Sequence, residues 1–292
     1  MVDLHVHSNY SDGSFTPRQL VEYALTHNIS AFALTDHDTT AGLPEAISCA
    51  KELSGKVCEA NPKGKTLEVI PGIEFSTEYE GRDIHIVGLY IDYTAEHFAR
   101  HLDDFVASRE ARNEKICALL SEHGVPVTYS AIKLRFPGAV ITRAHYARYL
   151  LEEGCVRSMS EAFDRYVGDH APCFIPREKV SPAQAVSLIR SVGGIPILAH
   201  PTLYHMSTGK LKDLVAHLKE AGLLGIEGIY STYSVSETRE MQGIAKEYDL
   251  LISGGSDFHG DNKPGLHFGT GYGKLYIHED ILDNIKKGLL QR

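Results

Sequence analysis

The stretch Val2-Asp3-Leu4-His5-Val6-His7, with Asp12 a few residues on, decides how this chain reads. It is a short apolar run of β character that delivers two imidazoles and then a carboxylate. The arrangement recurs along the chain: residues 31–35 run into Asp36-His37, and 67–73 into Glu74. Residues 84–87 carry His85, 195–199 run into His200, and 251–253 lead to Ser256-Asp257-Phe258-His259. Side chains at the C-terminal ends of parallel strands converge on one face of an α/β fold. Imidazole and carboxylate together hold borderline-to-hard divalent ions. Taken singly, each group has an ordinary explanation. His-x-His places both rings on one face of a strand, Asp36 suits a helix N-cap, Glu74 could face solvent, and His200-Pro201 suits a turn. Together, at the same end of successive strands, they predict a multinuclear metal site made by His5, His7, Asp12, His37, Glu74, His85, His200, Asp257 and His259.

Working outward, strand and helix signals alternate on both sides of a central helical block. Thr16-Pro17 reads as an N-cap followed by proline at the first helical position, opening a helix to about residue 28. A second helix is expected over 42–53, and a hairpin of Glu74–Glu78 and Arg82–Leu89, turned by Tyr79-Glu80-Gly81, places His85 opposite the Glu74 end. From 94 to 179 the strand pattern stops, with helices expected over 97–123, 142–151 and 159–167. Alternation resumes from 181 and closes with a helix over 279–290. The predicted fold is α/β, a barrel domain of residues 1–93 and 180–292 with a helical insertion of 94–179 over the site-bearing face.

The 292 residues suit a barrel with one insertion. No apolar run approaches membrane-spanning length, and the chain starts directly in a strand with no room for a signal peptide. Five cysteines without a C-x-x-C pair read as reduced thiols, so a cytoplasmic protein is expected. The net charge of −9 argues against non-specific binding of long duplex nucleic acid, and without a spanning run no membrane partner is expected. Three divalent ions would add about +6 against −3 from Asp12, Glu74 and Asp257, a positive pit suited to a small or terminal phosphate.

The motif set resembles the PHP (polymerase and histidinol phosphatase) superfamily over nearly the whole chain. The resemblance rests on His5-Val6-His7-Ser8 with Asp12-Gly13, Thr35-Asp36-His37-Asp38, Pro71-Gly72-Ile73-Glu74, His85, Ala199-His200-Pro201 and Ser256-Asp257-Phe258-His259. Ile141-Thr142-Arg143-Ala144-His145 in the insertion is similar to the stand-alone phosphoesterase branch, which includes nucleoside 3′,5′-bisphosphate phosphatases and 5′→3′ exonucleases of short RNA. The resemblance implies a distorted (β/α)7 TIM-like barrel and two or three divalent ions, with Mn²⁺ favoured and Fe²⁺, Zn²⁺ or Mg²⁺ as options. It further implies that His5, His7, Glu74 and Asp257 hold one ion. Glu74 would bridge to a second ion completed by His85 and His200, and Asp12, His37 and His259 would hold a third.

Clustered divalent ions make hydroxide available near neutral pH and neutralise phosphoryl oxygens, so attack by a metal-bridging hydroxide needs no serine or cysteine nucleophile. His37 and His259 enter the catalytic set through their metal. Arg143, beside an N-cap Thr142, is a candidate for both catalysis and phosphate binding. His145 either protonates the leaving group or is structural. Arg177 and Lys179 either contact a second phosphate or the nucleic-acid backbone, or are solvated. Tyr230 either stacks on a base or packs. The expected function is a nucleotide phosphoesterase, with removal of the 3′-phosphate from a nucleoside 3′,5′-bisphosphate ranked above 5′→3′ trimming of 5′-phosphorylated RNA. Small-metabolite phosphatase, amidohydrolase, and non-enzymatic accessory or metal-binding roles are the competing readings. The amidohydrolase reading ranks low because no lysine is expected at a strand tip.

Overall fold

The computed structural model describes residues 1–60, 66–168, 171–175 and 180–290. Seven strands form one sheet in sequence order: β1 (Val2–Val6), β2 (Ala31–Leu34), β3 (Glu68–Tyr79), β4 (Arg82–Leu89), β5 (Ile195–Leu198), β6 (Gly225–Tyr230) and β7 (Leu251–Gly255). The sheet curls until its edges meet. Asp257 N–H donates to His5 O at 2.9 Å and His7 N–H to Phe258 O at 3.0 Å, while Val2 N–H donates to Ile277 O at 3.0 Å. Gly255 permits this closure, because a Cβ there would lie 2.2 Å from the Cβ of His5. The result is a seven-stranded α/β barrel, as expected from the sequence.

β1, β2 and β5 are buried along their whole length, which fits strands covered by helices outside and by packed side chains within. The covering helices begin where local chemistry satisfies their first amides. Helix α1 (Pro17–Thr26) has Thr16 as N-cap, Pro17 at its first turn and a reciprocal capping box with Gln19. Helix α2 (Leu43–Ala60) follows β2 and runs past the expected end at residue 53.

The expected hairpin is present and places two of the site residues. The run 67–73 and the hairpin strand 74–78, read as two pieces in the sequence, form the single strand β3 to Tyr79, so Glu74 lies in mid-strand. β4 runs antiparallel to both β3 and β5. Its beginning, not its end, therefore lies on the face where the parallel strands finish, and His85, opposite Ser76, is carried there from near the start of the strand.

Between β4 and β5 come helices α3 (Glu96–Glu122), α4 (Tyr129–Arg135), α5 (Arg143–Glu152) and α6 (Met159–Ala162), then a π-helical turn, Phe163–Val167. Helix α4, capped by Thr128, was not anticipated, and the helix expected over 159–167 is split by the π turn. The start of α3 belongs to the barrel, since Phe98 and Leu102 join the core of Ile73, Phe75 and Ile189. From Ile116 onward a separate core forms around Leu120, Ile132, Tyr146 and Leu150. Helices α7 (Pro182–Ser191), α8 (Thr208–Glu220), α9 (Val235–Glu247) and α10 (Glu279–Leu290) complete the outer layer.

Candidate active site

The nine residues singled out in the sequence meet on one face of the barrel. His5 Nε2 and His7 Nε2 are 3.1 Å apart, and each is 3.2 Å from Glu74 Oε2. Asp257 Oδ1 lies 3.6 Å from His5 Nε2 and 3.3 Å from His7 Nε2. On one side, Glu74 Oε1 is 2.9 Å from His85 Nδ1 and 3.1 Å from His200 Nε2. On the other, His259 Nε2 is 3.1 Å and His37 Nε2 3.7 Å from the two oxygens of Asp12.

These spacings are those between neighbouring donors around an ion bound at about 2.1 Å. Asp12 Oδ1 is buried and makes no aligned hydrogen bond among the described residues although His259 Nε2 lies 3.1 Å away, as suits two donors turned toward a shared cation. The donor set thus fits divalent ions. Among the described residues, four groups are compact enough to hold one: His7-Asp12-His37-His259, His5-His7-Asp257, His5-Glu74-His200 and His37-Glu74-His85. The first contains the implied Asp12, His37 and His259 with His7 added, and the second contains the implied His5, His7 and Asp257 without Glu74. His85 and His200 share Glu74 but fall in different groups, unlike the single pair that the resemblance implies.

Backbone conformation aims several of these residues. His200 (φ 27°), Asp257 (φ 56°) and Asp38 (φ 52°) all occupy the left-handed region, which costs a non-glycine residue about 1–3 kcal/mol and persists only where surrounding contacts impose it.

Behind the donors lies a layer of polar groups that orients them. Buried Glu227 on β6 accepts from His5 Nδ1 at 2.9 Å and from the His200 backbone N–H at 2.6 Å. Asp36 accepts from Ser8 and Ser11. Asp38 accepts from the Ser76 N–H and from Arg109 on α3. Thr142 donates to Asp12 Oδ2 at 3.0 Å. Asp257 Oδ2 receives both the Tyr230 hydroxyl at 2.5 Å and the Lys263 ammonium at 2.6 Å.

Charge follows from this packing. Burial opposes ionisation of Asp12, Glu74 and Asp257, but the surrounding histidines, with Lys263 beside Asp257, hold all three well below the usual carboxylate range. Burial likewise opposes a proton on His7, yet its hydrogen bonds to Asp257 and Glu74 prevail and raise it to about 9. His5 is raised well above its ordinary value by Glu227, Glu74 and Asp257, again against burial. Burial keeps His37 and His259 low.

The cluster forms the floor of a cavity of about 340 Å³, whose walls include Arg109 and Arg112 of α3 and Arg143 of α5 together with Asp83 and Lys263. Arg143 does reach this cavity, where Asp83 Oδ2 accepts from its Nη2 at 2.7 Å. Two expectations need correction. His145 does not line the cavity. It is buried against Phe136, and its Nδ1 accepts the Thr142 N–H at 2.9 Å, so it caps its own helix and cannot reach a leaving group. Tyr230 ends β6 buried, with its hydroxyl spent on Asp257, and offers no face for stacking a base. Arg177 and Lys179 lie outside the described residues.

Sequence reasoning missed Glu227 and Lys263. Glu227 is a lone acid in an otherwise apolar strand, a pattern that could have flagged it. Lys263 sits four residues past His259 in the loop after β7, so a lysine does reach the cluster from a strand end.

A closed barrel with a buried histidine–carboxylate cluster on one face defines the class: a metal-dependent hydrolase. The PHP domain family model matches residues 3–172. A 5′–3′ exoribonuclease of Haemophilus influenzae is 37% identical over 283 residues, covering 97% of this chain and 96% of its own. A 3′,5′-nucleoside bisphosphate phosphatase of Chromobacterium violaceum is 30% identical over 269 residues, covering 92% and 90%. A crystal structure from Bifidobacterium adolescentis, assigned as a metal-dependent phosphoesterase, superimposes with a TM-score of 0.83 at 26% identity, covering 100% of this chain and 98% of the other. The chain belongs to the PHP domain family.

Proposed function

We propose that this phosphoesterase hydrolyses the O3′–P ester of a 5′-phosphorylated nucleotide. That bond breaks when a nucleoside 3′,5′-bisphosphate loses its 3′-phosphate. It also breaks when a 5′→3′ exonuclease frees a 5′-mononucleotide from RNA, so one site chemistry covers both names found among the relatives. The observation that carries the reading is the joining, in one cavity, of the histidine–carboxylate floor and the arginine wall. Between the two substrates, the bisphosphate is favoured by the small cavity and the net charge of −9. The higher identity to the exoribonuclease supports RNA as a second substrate.

The site residues divide the work. His5, His7, Glu74 and Asp257 would hold one ion, Glu74 with His85 and His200 a second, and Asp12, His37 and His259 a third, although His85 and His200 approach Glu74 in separate groups. Bound divalent ions, Mn²⁺ in the first instance, supply an activated water and neutralise charge on the phosphoryl oxygens. Glu227 fixes the His5 ring so that Nε2 faces the cluster. Thr142 fixes Asp12 Oδ2. Arg143, at the first turn of α5, provides a directional cation beside helix N-terminal amides for a phosphate that is not being cleaved.

The test is phosphate release from adenosine 3′,5′-bisphosphate by manganese-loaded protein, beside mononucleotide release from a short 5′-phosphorylated RNA. Asp257→Asn should lower both at least about a hundredfold, more than loss of an outer contact costs. Turnover of histidinol phosphate with neither nucleotide substrate cleaved would overturn the reading.

A further inference from the structure

We infer that the mouth of the cavity carries a nucleobase subsite made by Leu203 of the barrel and Met159 and Phe163 of the insertion. The inference rests on the nucleotide reading above and adds where the base sits. All three side chains line the same cavity as the metal-ligand cluster. Leu203 lies in the 3-10 turn Pro201–Tyr204 directly after His200 and is 42% exposed, a large apolar side chain left open beside a buried polar floor. Scattered exposed leucines need no explanation. This one shares its cavity with two further apolar groups that come from another part of the fold.

Phe163 begins the π-helical turn Phe163–Val167, where α6 leaves regular geometry. Such turns are rare and cluster at functional positions. Phe163 and Met159 are only partly buried against the core of the insertion, so part of each side chain remains for another contact.

The cavity is therefore polar and cationic at its floor and wall and apolar at these three residues. A nucleotide has the same division, with phosphates at one end and a flat, weakly polar ring at the other. Neither Leu203 nor Met159 carries a hydrogen-bonding group that could distinguish one base from another, and an aromatic face accepts every base. The subsite is accordingly tolerant of base identity. It takes over the role that Tyr230, buried on Asp257, cannot fill.

The experiment compares a base-bearing with a base-less ligand. Hydrolysis of adenosine 3′,5′-bisphosphate is measured against methyl riboside 3,5-bisphosphate, and binding of adenosine 5′-monophosphate against ribose 5-phosphate by calorimetry, in manganese-loaded protein. Leu203→Ala and Phe163→Ala should lower kcat/KM for the base-bearing substrate through KM, by about tenfold more than for the base-less one. Phe163→Tyr should restore the difference. The four nucleoside bisphosphates should agree within about threefold. Exposed Leu203 can be truncated without unfolding the protein, so the test survives a failure of Phe163→Ala to fold. Equal losses on both substrates, or equal binding of adenosine 5′-monophosphate and ribose 5-phosphate, would overturn the subsite. Absence of nucleotide hydrolysis with base-dependent binding intact would instead overturn the functional reading and leave the subsite standing.

Discussion

The two ring nitrogens of His5 face opposite ways: Nε2 looks into the cluster and Nδ1 rests on Glu227. Removing the charge at position 227 while keeping its shape should loosen His5 and the His200 backbone together. Glu227→Gln is expected to weaken divalent-ion binding by about 10- to 100-fold with the fold retained, read by competition with a chromophoric chelator. Unchanged affinity would show that Glu227 only fills space. His145 gives a second prediction at this scale. Burial lowers it to about 4, so its neutral form is the one the fold accommodates. Its contribution to stability is then complete above its unfolded value of about 6.5 and is lost as pH falls toward 4. Urea unfolding at a series of pH values should show a smaller loss of stability over that window in His145→Gln than in the natural protein. These residues also mark where the sequence stops being readable. His5, Glu74 and Asp257 were legible because donors repeatedly followed apolar runs. His145 looked equally chemical, but whether a ring faces a cavity or its own helix end depends on a rotation that no linear pattern records. Glu227 was missed because a buried acid inside Gly225–Tyr230 acts through a histidine more than two hundred residues away.

Among the elements, α3 does two jobs with one helix. Its start packs in the barrel core through Phe98, and further along Arg109 reaches back to Asp38 beside β2 and to Ile141 O ahead of α5. Arg109 and Asp38 are both buried, and breaking a buried pair leaves one charge uncompensated at about 3–5 kcal/mol. Arg109→Met should therefore lose stability on that order in urea unfolding, and Asp38→Asn in the same chain should recover part of it. Additive losses in the double variant would mean that the two side chains act independently. The helix itself was legible from its length, within a residue at each end, but this contact was not. The hairpin of β3 and β4, and with it the direction of β4, was legible from the turn at Tyr79-Glu80-Gly81, but the fusion of 67–73 and 74–78 into one strand was hidden, because an apolar run looks the same whether it stops at the barrel rim or continues into a hairpin. The sequence placed His85 near Glu74 by the hairpin turn alone, and register did the rest.

For the whole molecule, the buried cluster must be electrically compensated, and either protons or metal ions can do so. Without metal, protons on His5 and His7 offset Asp12, Glu74 and Asp257. His7, held up at about 9 by Asp257 and Glu74 against burial, stabilises the metal-free fold fully below its unfolded value of about 6.5. That contribution is lost as pH rises through 9. Metal binding requires neutral imidazoles and expels those protons. The loaded protein keeps its compensation as pH rises, because divalent charge does not titrate away. Two results follow. Calorimetric heats of manganese binding at pH 7.5 should vary with the ionisation enthalpy of the buffer, with net proton release. The gap in Tm between loaded and chelated protein should widen from pH 6.5 to pH 9, since rising pH weakens only the chelated form. A constant or shrinking gap, or heats independent of buffer, would mean that the histidines are already neutral in the empty cluster and that some other group carries the compensating charge. Lys263, which already donates to Asp257 Oδ2, would then be the residue to replace, with Lys263→Met expected to restore proton uptake at the cluster.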